Sequence, residues 1–258
     1  MTDSTPTPEV ALAGVTKRFL GSKTPILQDI SLSVPRGEFL SIIGPSGCGK
    51  STLLKLIAGL TPLTSGEIIV NSRTPEAARK EVSFVFQDPT LLPWRTVEQN
   101  IALALDLEHK PRAESHAATA RLLDLVGLSH VARHYPRQLS GGMKMRTSIA
   151  RALATQPRLL LMDEPFAALD EITRDRMNEE LLRLREEQNW TVLFVTHSVA
   201  EAVFLASRVI ILSPNPGRIA NVIPIDLPYP RTAATRDTQA FDDLVNLTSR
   251  QLREAHRA

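Results

Sequence analysis

The chain has 258 residues, enough to bury a sizeable core as one large domain or as a domain carrying an inserted subdomain. Its 43% hydrophobic and 22% charged content is ordinary for a soluble globular protein, and a net charge of +2 is too small to argue for nucleic acid as a partner. One cysteine excludes an internal disulfide and makes reduced cytosol the natural compartment, the start MTDSTPTPE lacks the pattern of a secretory signal, and no stretch approaches the ~20 apolar residues that span a bilayer. Any membrane role must therefore come through a partner.

In chain order, Met1 to Pro8 is rich in Thr and Pro and reads as disordered. Val10 to Val15 and Ile26 to Val34 read as strands, the second with Ile30, Leu32 and Val34 on one face and Asp29, Ser31 and Ser33 on the other. Pro35-Arg36-Gly37 is a turn, Phe39 to Ile43 an apolar strand, and Ser51 to Leu60 a helix that Gly59 can stop. Val82 to Phe86 is a further strand. From Asp88 to about Gln156 the spacing becomes helical, including Ala113 to Val126 and Met143 to Ala154. Strands then return at Leu159 to Met162, Thr191 to Val195 and Val209 to Leu212, alternating with helices at Glu171 to Gln188 and Ser198 to Leu205. This alternation predicts a parallel α/β sheet with the central helical block inserted into it. After Pro214 the chain reads as irregular, then as a helix from about Ala240 to His256.

Gly44-Pro45-Ser46-Gly47-Cys48-Gly49-Lys50-Ser51 fits G-x-x-x-x-G-K-[ST] at every position, between a strand and a helix. Glycines let successive N–H groups converge on phosphate oxygens, and the helix adds its positive end. Lys50 can reach the β and γ phosphates, and the Ser51 hydroxyl can ligate Mg²⁺, with Thr52 next in the helix. Cys48, at a helix N-terminus, is expected to have a lowered thiol pKa and to react slowly with a maleimide. Leu159 to Glu164 is an apolar strand ending in two carboxylates. That position suits Asp163 to hold Mg²⁺ through water and Glu164 to polarise the attacking water. His197 and Gln87 also end strands, facing the same crevice. Leu139 to Met143, LSGGM, is a second glycine-rich segment suited to phosphate. One nucleotide needs only one cradle, so the surplus suggests a nucleotide shared between two surfaces.

Together these residues resemble the ATP-binding subunit of an ABC transporter. GPSGCGKS resembles its Walker A, Gln87 its Q-loop, LSGGM its signature, LLLMDE its Walker B, Ala167 to Asp170 its D-loop and His197 its switch histidine, all in the family's order over about Val10 to Ile219. FVFQDPTLLPWRTVEQNIAL, DEPFAALD and VLFVTHSVAEAVFLASRVIIL resemble more narrowly the nitrate, sulfonate and taurine class of bacterial importers. The resemblance implies a P-loop NTPase core with an antiparallel β subdomain and an inserted α-helical subdomain. It implies an ABC ATPase domain over 9–225, its helical part at about 88–156, and a helical tail over 226–258.

The same resemblance implies a head-to-tail dimer in which ATP on Lys50 and Ser51 of one copy is covered by Ser140, Gly141 and Gly142 of the other. Glu164 would activate water, His197 contact the γ-phosphate, Gln87 sense metal and water, and Asp170 connect the two sites. Phe19 matches the aromatic that stacks on adenine, with core packing as the alternative. Met143 stands where the signature usually has Gln, and Met145 is a second departure. Arg146 and Arg151 match basic positions but equally fit structural ion pairs. Leu91-Leu92-Pro93-Trp94 reads either as packing of the insertion onto the core or as a groove for a helix of the membrane subunit. The implied partners are a second copy, transmembrane permease subunits and, indirectly, a solute-binding protein, with no nucleic acid, at the cytoplasmic face of the inner membrane. The competing classes are a DNA-repair or ribosome-associated ABC-type ATPase and a P-loop small-molecule kinase. The first needs coiled-coil arms or a second cassette, and the last does not explain LSGGM with His197.

Overall fold

A computed structural model describes residues 8–257; the stretch expected to be disordered lies, apart from Pro8, outside the described residues. The first part of the chain forms β1 (Val10–Lys17), β2 (Leu27–Val34), β3 (Phe39–Ile43), α1 (Lys50–Ile57), β4 (Ser65–Val70), α2 (Pro75–Ala78) and β5 (Val82–Val85). The helices α3 (Val97–Leu107), α4 (Arg112–Leu125) and α5 (Gly141–Leu153) follow, then β6 (Leu159–Asp163), α6 (Glu171–Gln188), β7 (Thr191–Val195), α7 (Val199–Leu205) and β8 (Arg208–Leu212). The chain closes with β9 (Ile219–Pro224), α8 (Ala233–Arg236) and α9 (Gln239–Arg257).

Two sheets result. One is antiparallel, in the order β2-β1-β4; the other has six strands in the order β5-β6-β7-β3-β8-β9, parallel except for the β8–β9 pair. The inner strands are buried on both faces, which is why they read as unbroken apolar runs. Their side chains divide by period two between two cores. Phe39, Leu160, Met162, Val192 and Phe194 face the core shared with α4, α5, α6, α7 and α9. Leu40, Ile42, Leu159, Leu161, Leu193 and Val195 face the core shared with α1 and the antiparallel sheet.

The register places the functional ends level. Val195 pairs with both Ile42 and Asp163, so the loops after β3, β6 and β7 leave the sheet side by side. A crevice beyond the carboxyl ends of parallel strands is the usual ligand site of such sheets.

Two strands escaped the sequence patterns. β4 begins Ser-Gly-Glu with its first half exposed, which dilutes the apolar signal. β9 corrects the expectation of an irregular chain after Pro214: it is an edge strand whose Val222 is exposed, so its alternation is faint. The last helix begins and ends within a residue of its expected bounds, and it is no loose appendage, since Phe241 and Ala255 are buried in the larger core.

Candidate functional site

The phosphate loop leaves β3 and enters α1. Gly49 has φ +100, and a Cβ there would lie 2.7 Å from Leu27 Cδ2, so glycine is required twice over. Helix α1 starts without a side-chain cap, leaving its first N–H groups open to an anion. Lys50 is only 7% exposed. Its Nζ donates to Gly44 O at 2.7 Å and Pro45 O at 2.9 Å. The ammonium is thus folded back on its own loop. Phe19, Ile26, Ser46, Gly47, Gly49, Lys50, Ser51, Thr52, Gln87 and Glu164 together line a cleft of about 410 Å³. Phe19 is half exposed at its edge, with Lys17 Nζ 5.1 Å from the ring centroid, so core packing does not explain it.

Ser51 Oγ donates to Asp163 Oδ1 at 2.9 Å, joining the start of α1 to the end of β6. Burial pushes the Asp163 carboxyl above its usual range; the Ser51 hydrogen bond opposes that shift and the Glu164 charge adds to it. Glu164 has φ +47, a left-handed conformation rare for a side chain of this size. It is held by its own N–H on Val195 O at 2.9 Å and by Ala167 N–H on its carbonyl at 3.3 Å. Its carboxylate receives Gln87 Nε2 at 3.2 Å and faces His197 Nδ1 at 3.5 Å. One oxygen, Glu164 Oε2, gathers three strand ends at the mouth of the cleft.

The structure separates other residues from this group. Gly44 and Pro45 line a different cavity, beside Leu252, Arg253 and His256 of α9. Cys48 is 1% exposed, and burial raises its thiol pKa more than the Lys50 charge lowers it. That corrects the expected low pKa, because a thiol buried beside Gly44 and α1 gains little from the helix end. Ser140, Gly141 and Gly142 do not line the cleft. Ser140 caps α5, its Oγ accepting Met143 N–H at 3.2 Å, and both Ser140 and Gly141 are exposed. Asp170 is likewise exposed and caps α6 through Thr173 N–H at 2.9 Å.

Met145 is buried and Met143 packs against the core, so both departures from the signature pattern are apolar contacts. Arg146 donates to Val126 O at 2.8 Å, and Arg151 donates to Pro89 O and Thr90 O, both at 3.0 Å. These are structural ties; the second fixes the segment just after Gln87.

Two residues with site-building contacts carried no motif. Asn100 is fully buried on α3; its Nδ2 donates to Leu92, Arg95 and Thr96 carbonyls, and its Oδ1 accepts Leu92 N–H at 2.8 Å. It pins the turn that presents Trp94, which is 69% exposed and so does not pack the insertion onto the core. A lone Asn on an apolar helix face was the available signal. Glu201 is the other. Thr196 Oγ1 donates to it and accepts Ser198 N–H at 3.0 Å, bracketing His197. Its place three residues after Ser198 is the available cue.

A family model described as ABC transporter matches residues 27–167, more than half of the chain. An aliphatic sulfonates import ATP-binding protein of Bacillus licheniformis is 48% identical over 210 residues, 81% of this chain and 81% of that protein. A nitrate import ATP-binding protein of Synechococcus elongatus is 46% identical over 236 residues, 90% of this chain and 36% of that longer protein. An ATP-binding protein of Brucella abortus is 43% identical over 239 residues, 93% of this chain and 91% of that protein. Among solved structures, a dimeric ATP-binding cassette in a post-hydrolysis state bound to ADP and Pi is 33% identical with a TM-score of 0.79, covering 85% of this chain and 100% of that one. With a phosphate loop, paired strand-end acids and an outward glycine tip on this fold, the chain belongs to the ABC transporter family, as one of its ATP-binding, ATP-hydrolysing subunits.

Proposed function

We propose that the chain drives an importer of small oxoanions of the sulfonate and nitrate type, working as a head-to-tail homodimer at the cytoplasmic face of the membrane beneath separate permease subunits. In this reading the cassette spans residues 9–225, with its helical part at about 88–156, and 226–258 is a helical tail. The observation that carries it is the division of the site. Ser140, Gly141 and Gly142 do not line the Lys50 cleft, which supports a second copy bringing its tip over the first copy's nucleotide. The names of the sulfonate and nitrate relatives support the solute class, and the dimeric cassette supports the assembly. Among the described residues no helix is long and apolar enough to cross a membrane, so the path for solute belongs to partners. Trp94 and its Asn100-pinned turn offer the permease an apolar foothold near Gln87. The solute itself would be handed over by a solute-binding protein.

Hydrolysis then divides among named side chains. Phe19 stacks on adenine, and the open N–H groups of the loop and α1 hold the phosphates. Lys50 turns from Gly44 O and Pro45 O onto the β and γ phosphates. Ser51 and Asp163, two hard oxygen donors 2.9 Å apart with the acid raised by burial, fit Mg²⁺, and Gln87 stands close by. Among the described residues no cluster of three His, Cys, Asp or Glu makes a metal site alone, so Ser51 and Asp163 would hold the ion only together with bound nucleotide and water. When bound, Mg²⁺ supplies neutralisation of phosphate charge. Glu164, pre-aimed by its strained backbone, accepts the proton of the attacking water, while Gln87 and His197 fix its carboxylate and the γ-phosphate end. Ser140 to Gly142 of the partner copy cover the γ-phosphate, and Asp170 joins the two sites.

Capture of the tagged chain from detergent-solubilised membranes tests the assignment. Co-purification of integral membrane subunits at stoichiometric yield is expected. Recovery of only soluble proteins or nucleic acid would sink the importer reading in favour of a repair or ribosomal ATPase.

A further inference from the structure

Helix α7 has seven residues and begins two positions after His197. So short a helix has little hold on its own direction, and its end leaves carbonyls without partners. Ala206 N–H takes Ala202 O, which leaves Val203, Phe204, Leu205 and Ala206 carbonyls open. Two side chains from the segment after β9 fill all four. Arg231 Nη1 donates to Val203 O at 3.1 Å, Phe204 O at 2.8 Å and Ala206 O at 2.8 Å. Tyr229 Oη donates to Leu205 O at 3.2 Å.

This is a built device. Arg231 is 3% exposed, its Nη2 closes on Leu227 O at 3.1 Å, and its guanidinium lies 4.2 Å from the Tyr229 ring centroid. Among the described residues no carboxylate lies within ion-pair distance of it; the negative end of α7 is its counter-charge. Arg236 extends the grip. It stacks 3.5 Å from the Phe204 ring centroid and pairs with Asp175 and Glu179 of α6. At the opposite end, Thr196 and Glu201 bracket His197. The helix is therefore a short rod, roughly 10 Å long, with the C-terminal segment clamped on one end and the histidine on the other.

We propose that Arg231 and Tyr229 are positioning residues for ATP hydrolysis, setting through α7 the height and direction at which His197 meets the γ-phosphate. The proposal rests on the reading of His197 as the γ-phosphate contact. It gives the tail after β9 a role in catalysis: its clamp residues couple the register of α9, packed along α7, to the nucleotide cleft. A fork of donors at fixed angles is needed to reach three carbonyls, which a lysine ammonium cannot reproduce.

The test uses the full chain with Arg231→Lys, Tyr229→Phe and His197→Ala. Arg231→Lys is expected to lower kcat about tenfold with KM for ATP changed by less than about twofold, and Tyr229→Phe to lower kcat by about threefold, since an interaction that only places a reacting group shows in kcat. In ring-labelled histidine spectra, both variants are expected to shift or broaden the His197 signal, assigned by its loss in His197→Ala, while the signals of His109 and His116 stay in place. A kcat unchanged in both variants overturns the clamp. So does a lowered kcat with an unmoved His197 signal, because the effect then runs by another route and His197 keeps its role. Full turnover by His197→Ala overturns the reading of the histidine itself and the proposal with it. Should Arg231→Lys fail to fold, Tyr229→Phe, which removes one hydroxyl and keeps the ring, carries the same test.

Discussion

The two glycine-rich segments use similar residues for opposite arrangements. Gly44 to Ser51 is closed on itself: Lys50 is buried on its own loop's carbonyls, and Gly49 is forced by φ and by Leu27. Ser140 to Gly142 is open: Ser140 and Gly141 face outward, and a Cβ on Gly141 would meet nothing within 4 Å. Inside this chain nothing demands glycine at 141. In the proposed reading, the open space beside Gly141 is where a second copy approaches. The first segment is a cradle that folding completes; the second is, on the proposed reading, a tip completed by a second copy.

Glu164 sits on the cradle side, and removing its charge should give the largest effect. Glu164→Gln keeps the side chain's shape and loses its basicity. Turnover is expected to fall by at least ~100-fold, the span a positioned base contributes, while ATP binding persists and gel filtration with ATP shows a trapped dimer. Hydrolysis within a factor of three of the parent would take the water-activating role from Glu164 and leave the cradle a binding device only.

The tip is tested next. Ser140→Arg should leave nucleotide binding by the monomer intact but prevent ATP-driven dimerisation, lowering turnover by roughly tenfold to a hundredfold, since a charge forced into a closing interface opposes it by a few kcal/mol. Gly141→Ala sharpens the contrast. With open space around that Cβ, the thermal midpoint should hold while turnover drops. A Ser140→Arg protein that still dimerises with ATP would make the tip an ordinary helix cap and erase the difference between the segments.

Legibility in the sequence follows the same divide between what is local and what is assembled. Periodicity located the inner strands because they are buried on both faces, and it located α6 because eighteen residues of helical spacing run without interruption. The edge strands β4 and β9 were lost because exposure on one side erases the apolar run. Glu164, Gln87 and His197 were findable as strand-end polar residues, yet their meeting at one carboxylate oxygen depends on the side-by-side register of β5, β6 and β7, which no local pattern encodes. Cys48 was misjudged for the same reason. The helix end that lowers a thiol pKa is local, but the burial that raises it comes from Gly44 and α1 packed around it. Arg231 belongs to no motif in the sequence, and only the folded chain brings it under α7.

The smallest effect separates the acids on the two sides. Asp163 is buried in the cradle and its pKa is raised in the fold, chiefly by burial. A carboxyl whose folded pKa lies above its unfolded value adds stability at low pH and loses it as pH rises through the folded pKa. At neutral pH the ionised group therefore strains the ligand-free chain. Asp163→Asn removes that charge and keeps an acceptor for Ser51. Without nucleotide or metal it should melt about 2–4 °C higher at pH 7.5, the shift that ~1 kcal/mol makes in a domain of this size, and the gain should vanish toward pH 4. Asp170, exposed on the outward side, has its pKa lowered, first by Thr173 N–H. Its stabilisation is present at neutral pH and is lost as pH falls through the folded pKa, so Asp170→Asn should melt lower at pH 7.5. Thermal scans of both variants across pH 4 to 8 decide the matter. Two slopes of the same sign would mean that Asp163 is already satisfied by Ser51 alone, and that the cradle holds no uncompensated charge for a cation to neutralise.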